Sequence, residues 1–379
     1  MRALAAVSIA LALAGCSDQP RAPDGAGIEL TGALGGTAAE GFARATDPRE
    51  FRFPYDHGPH PQYRNEWWYV TGNLRDERGR RYGFQLTFFR IGLAPGEAER
   101  PSRWATNHVW MAHFALTDVT GEAFHDHERL ARGGDMALAG ASREPVRVWL
   151  EDWTLERRAD DTWRLEASAD GQALALDLAP RKAPVLQGDA GLSQKSAAAG
   201  NASYYYSLTR IAADGTLALD GDARSVTGSA WMDREWSTSA LGPDQRGWDW
   251  FALQLDDGTD VMFYRLRRAD GGTDPHSAGV VVGPDGATRR LGRADFALDV
   301  LDRWTSPRGG SYPARWRIDV AGIDGRLTVE PVLADQELDG VVRYWEGAVD
   351  VLRAGERVGR GYVELTGYAE DAAGAARSR

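Results

Sequence analysis

The chain has 379 residues and a single cysteine, Cys16, so no intrachain disulfide can form and stability must come from packed cores. Basic runs are also missing. Acids outnumber bases 55 to 44, and the formal net charge of −11 argues against nucleic acid as a partner and against electrostatic docking on anionic lipid. No Gly-x-Ser-x-Gly elbow marks a serine hydrolase, and no phosphate loop or dinucleotide fingerprint occurs, so no cofactor is expected. No apolar stretch approaches the ~20 residues that a membrane-crossing helix needs. Helical periodicity is sparse, limited to short pieces such as Glu128 to Ala141.

The one sustained apolar run lies at the start. Arg2 precedes Ala3 to Ala14, and the run ends at Leu13-Ala14-Gly15-Cys16, which resembles the lipobox of bacterial lipoproteins. Residues 1–15 are therefore expected to be a signal peptide. Cys16 would carry the lipid, with the protein anchored through it, facing the periplasm and not spanning the membrane. Ser17, where an aspartate would retain the protein in the inner membrane, favours the outer one. Residues 16–48 are rich in Ala, Gly, Pro and Thr and read as a flexible tether; 371–379 read as a disordered tail.

Between these ends the pattern has period two. Phe84, Leu86 and Phe88 alternate with Gln85 and Thr87, and Leu174, Leu176 and Leu178 do the same. Asp170-Gly171, Asp214-Gly215, Asp256-Asp257-Gly258, Asp270-Gly271-Gly272 and Asp324-Gly325 supply the turn chemistry of hairpins. The class is all-β. The candidate strands are too many for one barrel of about eight and suit two tandem antiparallel β-barrels, 49–238 and 239–370. Trp67 to Arg90 and Trp248 to Arg267 both read as an aromatic-rich strand, an Asp/Gly turn and a strand ending in arginine, as a duplicated domain would.

Tryptophan is abundant, at 14, and often stands beside acids. Asn65-Glu66-Trp67-Trp68-Tyr69, Trp231-Met232-Asp233-Arg234-Glu235-Trp236 and Trp248-Asp249-Trp250-Phe251 are the three clusters. A carboxyl walled in by indole rings is desolvated, so it keeps a proton near neutrality, and aromatic faces steady a passing carbocation. Alkene protonation by an acid requires both. Glu66, Asp233, Glu235 and Asp249 are the candidate catalytic acids. Trp67, Trp68, Trp236 and Trp248 are the candidate ligand-binding residues, all lining one region near the domain junction. The bland alternative is that the indoles are core and the acids are paired with Arg64 or Arg234. His125 and His127 are spaced for one face of a strand but sit in a polar hairpin, and no metal site is expected.

These motifs, with Gly83-Phe84-Gln85-Leu86-Thr87-Phe88-Phe89-Arg90, Ala202-Ser203-Tyr204-Tyr205-Tyr206-Ser207 and Trp248 to Leu255, resemble the AttH/carotenoid 1,2-hydratase family. The resemblance implies two lipocalin-like domains; members are often described as secreted hydrolases, and some are associated with ABC transporters. The hydratases add water to acyclic carotenoids without a redox cofactor, through a segment that reads roughly His-Asp-His-Asn-Trp. Here Met232-Asp233-Arg234-Glu235-Trp236 keeps Asp233 and Trp236, while both histidine places have changed. By this resemblance Asp233 is the proton donor.

Two functions of different class follow. One is a lipid-anchored carrier of an apolar, lipid- or isoprenoid-like ligand, accessory to an ABC transporter. The other is a cofactor-independent hydratase, lyase or hydrolase acting on an apolar substrate. What separates them is whether Asp233 and Glu235 face an apolar cavity or a solvated ion-pair network.

Overall fold

The computed structural model describes residues 28–29, 40–96, 105–133, 138–238 and 241–369. The signal peptide, Cys16 and the tail 371–379 lie outside the described residues. Ile28–Glu29 (β1) is the first strand, and a short 3-10 turn, Tyr55–His57, precedes the first sheet.

That sheet contains β2 (Asn65–Asp76), β3 (Arg81–Gly92), β4 (His108–Asp118), β5 (Ala123–Arg132), β6 (Ala139–Arg143), β7 (Val146–Leu150) and β8 (Trp153–Arg157). It continues through β9 (Trp163–Ala169), β10 (Gln172–Pro180), β11 (Val185–Leu186), β12 (Leu192–Gln194), β13 (Ala202–Leu219) and β14 (Asp222–Ser237). The second sheet contains β15 (Gln245–Leu255), β16 (Asp260–Arg268), β17 (Ala278–Val282), β18 (Thr288–Leu291) and β19 (Phe296–Thr305). After these come β20 (Ser311–Val320), β21 (Leu327–Pro331), β22 (Glu337–Asp339), β23 (Val342–Arg353) and β24 (Glu356–Leu365). No α-helix occurs among the described residues. The weak helical period of Glu128 to Ala141 falls instead on β5 and β6, because pairing with β4 and β7 overrides a short local preference.

Both sheets repeat one plan. The first long strand pairs with the last, β2 with β14 and β15 with β24, and the intervening hairpins run outward on either side. Contacts of β7 with β3, β4 and β5 bring the ends of the first sheet together around a core that includes Trp68, Phe84, Phe114, Trp153 and Leu176. Phe251, Phe263, Trp316, Trp345 and Val351 anchor the corresponding core of the second sheet. Alternation explains this directly: residues of one parity fill the barrel, and those of the other are left for the surface or for the opposite sheet.

Several turns are as the sequence reads. Asp170-Gly171 takes φ of 46° and 87°, suited to a two-residue hairpin. Asp214-Gly215 is an exception. It lies inside β13, where Gly215 opposes Leu176 and an added Cβ would stand 2.1 Å from the Ala175 carbonyl oxygen. The glycine serves close strand approach; the turn is Asp220-Gly221. The expected tether also ends sooner than residue 48. Phe42 and Ala45 are buried, the latter beside Tyr204 and Trp236, and β1 pairs in parallel with β23.

Candidate active site

Register brings the site together. On β14, Asp233 stands opposite Tyr69 and Glu235 opposite Trp67 of β2; on the other side Ser207 and Tyr205 of β13 oppose the same two acids. Directly opposed residues share a face, so Trp67, Tyr69, Tyr205, Ser207, Asp233 and Glu235 all point away from the first barrel core. They look toward the second sheet, which presents Trp248, Trp250, Tyr264, Tyr344, Glu346 and Glu364. Between the walls lies a mostly aromatic cavity of about 80 Å³.

Asp233 is 3% exposed. Ser207 Oγ donates to its Oδ1 at 2.5 Å and Trp231 Nε1 to the same oxygen at 2.7 Å, while the Tyr205 hydroxyl bonds Oδ2. Trp250 Nε1 in turn donates to the Tyr205 oxygen at 3.1 Å. Burial outweighs these three donors and, with the charge of Glu235 nearby, pushes the Asp233 carboxyl up to about 7. Glu235, two residues on, is ion-paired with Lys195 at 3.2 Å. The Lys195 ammonium lies 4.3 Å from the centre of the Tyr264 ring; burial opposes its charge, but Glu235 and Tyr264 more than compensate and its pKa is raised.

On the facing wall Glu346 and Glu364 are directly opposed partners of β23 and β24. Burial, reinforced by the neighbouring Glu364, holds Glu346 well above the usual carboxylate range. Glu364 is pushed up to about 8 by burial, against the hydrogen bond it accepts from Trp248 Nε1 at 3.1 Å and with the charges of Glu235 and Asp233 adding to the rise. Glu346 accepts from Gln85 Nε2 at 2.7 Å through Oε2, and its buried Oε1 faces the Tyr69 hydroxyl without a well-formed hydrogen bond. Four carboxyls and one lysine thus share an apolar enclosure. It can store protons at neutral pH and release them to a bound molecule.

Of the residues singled out by sequence, the structure brings Asp233, Glu235, Trp67 and Trp248 together here. The other four do not join them. Glu66, Trp68 and Trp236 have the opposite parity and lie on the reverse face of β2 and β14. Glu66 accepts from Arg234 Nη2 at 2.7 Å, Arg90 Nε at 3.1 Å and the His60 backbone N–H at 2.9 Å. Those partners overcome its burial and hold it well below the usual range, as an ionised group. Trp68 lies 3.9 Å under the Arg234 guanidinium, and Trp236 stacks on His60 at 3.7 Å. Asp249 likewise faces away from Trp248, bonded to Arg265, Arg267 and the Tyr368 hydroxyl. These four build buried structural networks. Among the described residues no group of three or more His, Cys, Asp or Glu is placed to hold a metal.

Sequence reading missed Tyr205, Lys195, Glu346 and Glu364. A usable signal existed for two of them: Glu346 and Glu364 are lone acids within the apolar runs Tyr344-Trp345-Glu346-Gly347-Ala348-Val349 and Tyr362-Val363-Glu364-Leu365.

The AttH-like family model matches residues 44–368. A crystal structure assigned to AttH from Nitrosomonas europaea superposes with a TM-score of 0.78 at 35% identity, covering 86% of this chain and 100% of that one. Kievitone hydratase from Nectria haematococca matches at TM-score 0.64 and 15% identity, over 87% of this chain and 99% of its own. CghA, solved with Sch210972, matches at 0.51 and 15%, over 88% and 97%; at such identities these two likenesses concern the fold. No curated protein matches the sequence. With two all-β lipocalin-like sheets enclosing a carboxyl-lined cavity, and a family match spanning nearly everything described, the chain belongs to the AttH-like family.

Proposed function

We propose that this protein is a cofactor-independent hydratase or hydro-lyase that acts on an alkene of an apolar, isoprenoid-like substrate, with Asp233 as proton donor. The observation that carries the reading is the Asp233 carboxyl, balanced near neutrality by burial and facing an aromatic cavity. A general acid works best when its pKa lies close to the working pH. The proton leaves the Asp233–Tyr205 pair and forms a C–H bond. The resulting cation is steadied by the indoles of Trp67 and Trp250, water forms the C–O bond, and the proton it sheds returns to the carboxyl cluster. Elimination is the same path reversed. The fold shared with a protein named kievitone hydratase supports the reading.

A second reading, a carrier for the same kind of ligand, is favoured by the Leu13-Ala14-Gly15-Cys16 segment. Under either, we propose lipidation at Cys16, a periplasm-facing position on the outer membrane, and service to an ABC transporter in the carrier case. Native mass spectrometry of protein isolated from its own membrane separates the two. Wild type holding a water-adduct product while Asp233→Asn holds its unhydrated precursor supports the enzyme. The same unchanged molecule in both supports the carrier.

A further inference from the structure

One buried hydrogen-bonded chain leaves the cavity and is not used by the chemistry above. His113 of β4 contacts the Tyr344 hydroxyl through Nδ1 at 2.7 Å and Glu128 Oε2 through Nε2 at 3.1 Å. His113 and Tyr344 are each 1% exposed, whereas the Glu128 side chain is 12% exposed, at the protein surface. Tyr344 and Glu346 are two apart on β23 and share a face. Gln85 Nε2 donates to the Tyr344 oxygen at 2.9 Å and to Glu346 Oε2 at 2.7 Å, holding the two side by side. The outer end is fixed as well. Glu128 accepts from the Val341 and Val342 backbone N–H groups at 2.9 and 3.2 Å, and Gly340 lets that turn close over it, since a Cβ there would stand 2.6 Å from its Oε2. A buried imidazole between a surface carboxylate and a tyrosine is more than packing requires, and each of its nitrogens already has a partner able to exchange a proton.

We propose that Glu128, His113 and Tyr344 form a proton path between solvent and Glu346, through which the carboxyl cluster, whose proton count hydration leaves unchanged, exchanges its protons with solvent. The path rests on the hydratase reading above. A proton drawn from solvent by Glu128 passes to His113 Nε2. The imidazolium gives its Nδ1 proton to the Tyr344 oxygen while Tyr344 gives its own to the Glu346 carboxylate. At each relay group one bond to hydrogen forms and one breaks, with no change of oxidation state. Gln85 transfers no proton and acts as a positioning residue. The path crosses the domain junction, so it exists only when the two sheets are docked.

The test needs no substrate. Infrared spectroscopy of the full chain near neutral pH follows the protonated-carboxyl band that Glu346→Gln removes, and a jump into D2O times its isotope shift. Tyr344→Phe and His113→Ala are expected to slow exchange by roughly a hundredfold, the scale of a positioned acid–base group. Added imidazole should restore the rate in His113→Ala, which a packing defect would not do. Exchange as fast in both variants as in wild type overturns the path and leaves the hydratase reading standing. Absence of a Glu346 carboxyl band at neutral pH overturns the path together with the proton-storing cluster on which it depends.

Discussion

Replacing Asp233 by Asn should stabilise the fold above neutrality, the reverse of what removing a buried acid normally does. In the native state the carboxyl binds its proton up to a pH of about 7, against an ordinary value of 3.8 for the free group. Between those values the folded chain holds more protons than the unfolded one, so stability falls as pH rises through the window and levels off above it. At about 1.4 kcal/mol per pH unit, the cumulative penalty is about 4 kcal/mol by pH 8 and between roughly 1 and 2 at pH 5. Asparagine mimics the protonated form. Its Oδ1 can accept from Ser207 and Trp231, and its Nδ2 can donate to the Tyr205 oxygen. Allowing for imperfect geometry, urea unfolding followed by tryptophan fluorescence should show the variant more stable by about 2–4 kcal/mol at pH 8, with the gap narrowing towards pH 5. A variant less stable than wild type at pH 8, or a gap independent of pH, would refute the desolvated-acid argument.

Glu66→Gln should behave in the opposite way, losing about 3–5 kcal/mol at pH 7 in the same assay because Arg90 and Arg234 remain buried with their shared charge gone. The native Glu66 contribution is present above the unfolded carboxylate pKa and is lost as pH falls through its depressed folded value. Lys195→Met leaves Glu235 beside Asp233 without its cation; unfolding at pH 8 should show a loss of about 3 kcal/mol. Cys16→Ser should move the protein from the membrane fraction to the soluble periplasm, and retention after a salt wash would contradict lipid anchoring.

Period-two alternation and Asp-Gly turns made the all-β class legible, because both follow from local backbone geometry. Which strand opposes which residue is not local, and sequence does not disclose it. Glu66 and Trp67 are neighbours in sequence yet face opposite sides of β2, so counting tryptophans beside acids mixed an ion-pair network with a cavity. The same parity that joins Glu66 to Trp68 would have set both apart from Asp233, had the pairing of Asp233 with Tyr69 been known. Glu346 and Glu364 come from the far end of the chain and reach the site only through docking of the second sheet. Asp214-Gly215 is ambiguous in sequence for a related reason: close approach to β10 and a tight turn both call for glycine, and sequence alone does not separate them.

Addition of water across, or its removal from, a carbon–carbon double bond by carboxylic-acid catalysis is the activity we propose for this cavity. It is tested most directly by incubating the purified full chain with a panel of isoprenoid alkenes in deuterated water enriched in oxygen-18, with a chelator present, and reading the products by mass spectrometry. Wild type should yield an alcohol carrying both a carbon-bound deuterium and the heavy oxygen, and Asp233→Asn should yield none while still binding the alkene. Alkenes that bind wild type and variant equally and return unlabelled from both would contradict it.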